Sequence, residues 1–125
     1  MEGKMRRERR RSERIPVEHL VAFSCYRRGD SVPYDHSMGK AVNVGEGGMM
    51  LQIYKPVEQG TVLDLEIGIG NEIVDAKVEV LATRKISFNG DGYTASTRFV
   101  YIDHRNYLKM MRLERLSFTR KAGNL

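Results

Sequence analysis

Apolar residues recur at every second position through most of this chain. In residues 17–26, Val17, Val21, Phe23 and Cys25 alternate with Glu18, Ser24 and Tyr26. That is the period of a half-buried strand. Residues 27–37 hold Gly29, Asp30, Pro33 and Asp35 and read as a polar loop. Residues 40–44 and 49–53 read as short strands, the second with Met49, Leu51 and Ile53 on one face. Pro56 and Gly60 bracket a turn. Residues 61–69 set Leu63, Leu65, Ile67 and Ile69 against Asp64 and Glu66, and Gly70-Asn71 turns the chain. Residues 73–86 set Val74, Ala76, Val78 and Val80 against Asp75, Lys77 and Glu79. Asn89-Gly90-Asp91-Gly92 is a hairpin signal, because Asn and Gly tolerate positive φ. Residues 93–101 place Tyr93, Ala95, Thr97, Phe99 and Tyr101 inward and Thr94, Ser96 and Arg98 outward.

The period changes after Asp103, which has the character of an N-cap for a helix over 104–118. Tyr107, Leu108, Met111 and Phe118 fall on one side of that helix, and Leu113 and Leu116 on another. Two apolar sides give a helix two surfaces to cover, one of which can be a second copy of the chain. Six short strands with hairpin-length links hide their edges best by closing. The expected fold is all-β: a small six-stranded antiparallel barrel with a C-terminal α-helix. It occupies residues 16–118, after a flexible arginine-rich arm over 1–15 and before a frayed tail over 119–125.

Composition narrows the function classes. At 125 residues there is room for one domain. Hydrophobic residues make up 41% and charged ones 30%, ordinary for a soluble globular chain, and no apolar run approaches the ~20 residues of a membrane span. The single Cys25 cannot form an internal disulfide and reads as a small core residue, so the expected compartment is the cytosol. The net charge is +5, and residues 1–14 hold seven Lys and Arg against three Glu, so the rest of the chain is close to neutral. A basic arm on a neutral body points to a local anion site rather than a coating of nucleic acid.

No catalytic set is visible, and the chain reads as a non-enzyme. His19, His36 and His104 lack metal-ligand spacing, and no Ser or Cys sits in a nucleophile-elbow context. Two anion-binding parts remain. In the arm, Arg10 and Arg14 stand four apart with Arg9 and Arg11 beside them. A guanidinium suits phosphate oxygens and the O6/N7 edge of guanine. The other part is the turn Asn43-Val44-Gly45-Glu46-Gly47-Gly48, where glycines let a ligand approach backbone N–H groups.

Together these stretches resemble the PilZ family, bacterial receptors for the second messenger cyclic di-GMP. The family carries an RxxxR motif before its first strand and a [D/N]xSxxG motif at a later strand turn. Arg10-Arg11-Ser12-Glu13-Arg14 matches the first, and Asn43 and Gly48 match the ends of the second. The order of elements follows the family over nearly the whole chain. The motif's serine is Gly45 here. Losing one hydroxyl hydrogen bond weakens binding by roughly tenfold or less.

The resemblance implies that Arg10 and Arg14 hold guanine edges and phosphates of cyclic di-GMP, often bound in the family as a stacked pair. It implies that Asn43 bonds a base, that the Gly47-Gly48 backbone lies against the ligand, and that Gly45 occupies the serine's place. Arg9 and Arg11 supply further phosphate contacts or stack on guanine. Arg98 is added on charge alone. The ligand is the only small molecule implied, with no cofactor. The signal leaves through a changed surface offered to a protein partner. Two alternatives stay open: a PilZ-like interaction module that no longer binds nucleotide, and a small basic barrel that binds RNA or DNA through the arm. Against the latter, the strands lack the interleaved aromatic and basic residues of single-strand binders.

Overall fold

The computed structural model describes residues 14–86 and 92–110. The period-two pattern folds as β1 (Ile15–Tyr26), β2 (Asp35–Val44), β3 (Met49–Ile53), β4 (Val62–Ile69), β5 (Glu72–Lys85) and β6 (Tyr93–Ile102). They close into a barrel in the order β1-β2-β3-β6-β5-β4, with every neighbouring pair antiparallel. The inward set is the expected one except at Tyr101. Val21, Phe23, Met49, Leu51, Ile53, Leu63, Leu65, Ile67, Val74, Val78 and Val80 are all buried in one cluster. Cys25 is buried in that cluster too, and burial pushes its thiol pKa up, as befits a packing residue rather than a nucleophile.

The strands depart from the expected pattern in four places. β2 begins at Asp35, so residues 35–37, read as loop, are strand. They extend the pairing with β1 through Ser24↔His36 and Cys25↔Asp35, and Ser24 Oγ lies 2.9 Å from His36 Nδ1. An outward strand face can be wholly polar, so polarity alone did not mark a loop. The remaining loop is closed by Tyr34 N–H donating to Cys25 O at 2.8 Å, and Arg27 sits 4.4 Å over the Tyr34 ring. β1 starts at Ile15, inside the expected arm.

The third departure is Tyr101, expected inward but 61% exposed. The β5–β6 register passes from Val78↔Phe99 to Lys77↔Tyr101, which leaves Val100 as an extra residue. That bulge reverses the alternation, so Phe99 and Ile102 pack on the core and Tyr101 faces out. A second shift in the same pair leaves Leu81 unpaired and exposed on β5. The fourth is Glu79, expected as a solvated outward residue but buried on the barrel's outer side by two arginines.

Gly70 takes φ +60 in the β4–β5 turn, the left-handed region that glycine enters without strain. Asn89, Gly90 and Asp91 of the expected β5–β6 hairpin turn lie outside the described residues. Helix α1 follows over 104–110. Asp103 caps it: its Oδ1 accepts from Arg105 N–H at 2.7 Å and its carbonyl from Tyr107 N–H at 2.9 Å. Met110 is the helix residue buried in the core, whereas Leu108 is exposed. Met110 lies three positions after the half-buried Tyr107, so those two share a face and Leu108 does not. The rest of the expected helix, with Met111, Leu113, Leu116 and Phe118, and the tail over 119–125 lie outside the described residues. No helix among the described residues is long and apolar enough to cross a membrane.

The packing separates two substitutions that the sequence pattern would treat alike. Leu65→Ala should cost about 2–5 kcal/mol in urea unfolding, because Leu65 is fully buried. Tyr101→Ala should stay within about 0.5 kcal/mol of the parent.

Candidate functional site

The chain's entry into the barrel and the glycine-rich turn are built side by side. Ile15 pairs with Val44 and Pro16 with Asn43, so the first residues of β1 run beside the last of β2. Arg14, just before β1, therefore stands next to Asn43. Its Nη1 donates to Asn43 Oδ1 at 2.8 Å. Two stretches 29 positions apart in sequence meet in one hydrogen bond. Register shifts flank the contact, between Pro16 and His19 in the β1–β2 pair and between Ala41 and Asn43 in the β2–β3 pair. Bulges of this kind turn a strand end and re-aim its side chains.

The turn itself is held from within and from β6. Gly45 N–H donates to Gly48 O, and Phe99 N–H donates to Gly47 O, each at 2.8 Å. Gly48 lies flat against β6. A Cβ there would fall on the Thr97 carbonyl oxygen and 2.8 Å from Arg98 Cα. Glycine at position 48 is thus required by strand packing, whatever else it does. Around Gly47 the space is open, and Glu46 and Gly47 are exposed while Gly45 and Gly48 are buried. Within the motif, Asn43, Glu46 and Gly47 are the positions that reach the surface.

Three residues that the sequence reading missed support this corner. Thr97 is buried, and its hydroxyl donates to Met49 O at 2.8 Å, pinning the chain as it leaves the turn. Its signal was an inward hydroxyl on an apolar strand face, a group that must find a partner. Glu79 is the second. It pairs across the strands with Arg98, whose Nη2 lies 2.5 Å from Glu79 Oε1. Arg28, the third, reaches from the β1–β2 loop and sets its Nη2 2.6 Å from Glu79 Oε2. Burial works against the Glu79 charge, but hydrogen bonds and charge from Arg98 and then Arg28 outweigh it, and the carboxyl is held below its ordinary pKa. Arg98, proposed on charge alone, thus has its backbone against the turn and its guanidinium on Glu79. Arg9, Arg10 and Arg11 lie outside the described residues. Among the described residues no group of His, Cys, Asp and Glu is placed to hold a metal ion.

Comparison with known proteins gives the fold. No family model matches the sequence, and no curated protein does. Among solved structures, the chain is similar to the PilZ domain of YcgR from Escherichia coli, solved with cyclic di-GMP. The TM-score is 0.64 at 18% identity, covering 91% of this chain and 94% of that one. It is also similar to the Bacillus subtilis inhibitor of motility, MotI/DgrA. There the TM-score is 0.65 at 13% identity, covering 91% of this chain but 52% of that one, so this chain spans about half of that protein. The chain has a PilZ-like fold.

Two predictions come from this geometry. Gly47→Ala should be neutral or slightly stabilising, whereas Gly48→Ala should destabilise by about 1–3 kcal/mol or more in urea unfolding, because β6 must move. Glu79 gives a pH signature. Its depressed pKa stabilises the folded state above the ordinary carboxyl range, and that contribution disappears as pH falls through the folded value. Melting temperatures of the parent and Glu79→Gln should therefore differ at neutral pH and converge in acid.

Proposed function

We propose that this chain is a non-enzymatic receptor for cyclic di-GMP that signals through a protein partner. The observation that carries the reading is the Arg14–Asn43 hydrogen bond, which joins both halves of the PilZ-like signature in one corner of the barrel. The PilZ-like fold and the cyclic di-GMP in the solved YcgR domain support the choice of ligand. In this reading Asn43 presents the Arg14 guanidinium at the barrel surface. Arg10 closes from the arm onto phosphate or a guanine edge, with Arg9 and Arg11 adding charge. Charge-assisted hydrogen bonds offset the entropy lost in ordering those side chains. The exposed Gly47 backbone lies against the ligand. Gly45 offers no hydroxyl, so affinity is reduced by roughly tenfold or less relative to a serine-bearing motif.

A second reading has its own observation. Gly45 supplies no side-chain donor where the motif has serine, which fits an interaction module without a nucleotide. Calorimetric titration of the full chain with cyclic di-GMP, with GTP as control at the same salt, decides between them. The receptor reading predicts saturable binding in the low-micromolar range or tighter that GTP does not reproduce. It also predicts that Arg14→Ala weakens binding by roughly tenfold or more while the barrel stays folded. A flat trace from folded parent protein would overturn it in favour of the second reading.

A further inference from the structure

Away from this corner, the outer face of β2, β1, β4 and β5 holds an open depression of about 760 Å³. Strand register sets out its surface. One row across the four strands reads Met38, Ala22, Glu66, Asp75, and the next reads His36, Ser24, Asp64, Lys77. Small side chains on β1 form the floor. Large apolar side chains lie in and beside it: Met38, 56% exposed, lines it, and Leu20 (65%) and Ile73 (67%) stand one row further along the strands. Ile73 pairs with Gly68, whose missing side chain leaves a gap on the Leu20 side.

Three carboxylates gather on this face of an otherwise nearly neutral barrel: Asp64, Glu66 and Asp75 all line the depression, with Lys77 opposite Asp64 and Lys40 opposite Leu20 as the cations on the same strands. Among the described residues, none of the three carboxylates has a cation within salt-bridge distance. Glu66 and Asp75 are direct cross-strand partners, an arrangement of like charges that destabilises a sheet. The barrel gains nothing from it, whereas a docked cation would relieve it. Exposed apolar side chains beside carboxylates without a salt bridge are what a polar-rimmed protein interface offers.

We propose that this face docks a basic amphipathic segment of a partner protein. Lys or Arg side chains of that segment settle against Glu66 and Asp75, and an apolar side chain lies on Ala22 between Met38 and Leu20. Charge selects this occupant. A second copy meeting the face about a two-fold axis would set the same carboxylates against each other. The inference rests on the reading of this chain as a relay to a protein partner. It does not rest on nucleotide binding, so the test is run without nucleotide and its failure leaves the calorimetric result untouched.

The test is an amide NMR titration of the full chain with a short helical peptide bearing Lys on one face and Leu on the other. A counterpart with Glu in place of Lys is the control. The expected result is saturable shifts confined to residues 20–24, 36–40, 64–68 and 73–75, absent with the Glu peptide. Combining Glu66→Gln with Asp75→Asn should weaken binding by roughly tenfold or more, with melting temperature unchanged or raised. Shifts elsewhere, no shifts, or unchanged affinity in that variant would overturn the proposal. So would a dimer in sedimentation velocity that Met38→Ser abolishes, which would give the face to a second copy. Tighter peptide binding after Arg9, Arg10 and Arg11 are replaced by Ala would give it to the chain's own arm, and would equally overturn the proposal.

Discussion

Barrel closure by β1 is the constraint on which the other features depend. β1 pairs with β2 along nearly its full length and with β4 only from Val21 to Tyr26. Its first residues therefore run on past the β4 pairing, beside the end of β2. This offset delivers the arginine-bearing entry of the chain to the glycine-rich turn. An open sheet of the same strands would leave two edges unpaired.

Within that frame, arginines are presented by short polar side chains that packing holds in place. Asn43 takes Arg14, and Glu79 takes Arg98 and Arg28. The turn between β2 and β3 is fixed by β6, through Gly48 lying on Thr97 and through the Thr97 hydroxyl on Met49. The surface near the turn is thus pre-organised. The outer face of β1 and β4 is different. It carries acid and exposed apolar residues that folding does not require.

Most of the fold was legible because burial is periodic. Leu63, Leu65, Ile67 and Ile69 announce both a strand and its inward side. The breaks in that period were not legible. A bulge at Val100 leaves no local signal, since it is set by β6 having one more residue than β5 needs between two paired positions. Tyr101 was misplaced for that reason. Glu79 was visible as a polar residue in an outward position, but its burial depends on Arg28 and Arg98, which only strand pairing brings to it. The candidate site divides the same way. The motifs singled out Arg14 and Asn43, and the β1–β2 register made them neighbours. Gly48 was read as room for a ligand, but its contact with β6 explains it as room for a strand.

The central claim is that Arg14 and Asn43 act as one unit in ligand capture. A double-mutant cycle of Arg14→Ala and Asn43→Ala, read as dissociation constants for cyclic di-GMP at fixed salt, tests it most directly. Acting as a unit, the two substitutions together should weaken binding by less than the sum of their separate effects, with a coupling of about 0.5–1.5 kcal/mol. Effects that add to within about 0.3 kcal/mol would mean that the two side chains meet the ligand independently, and would contradict the account.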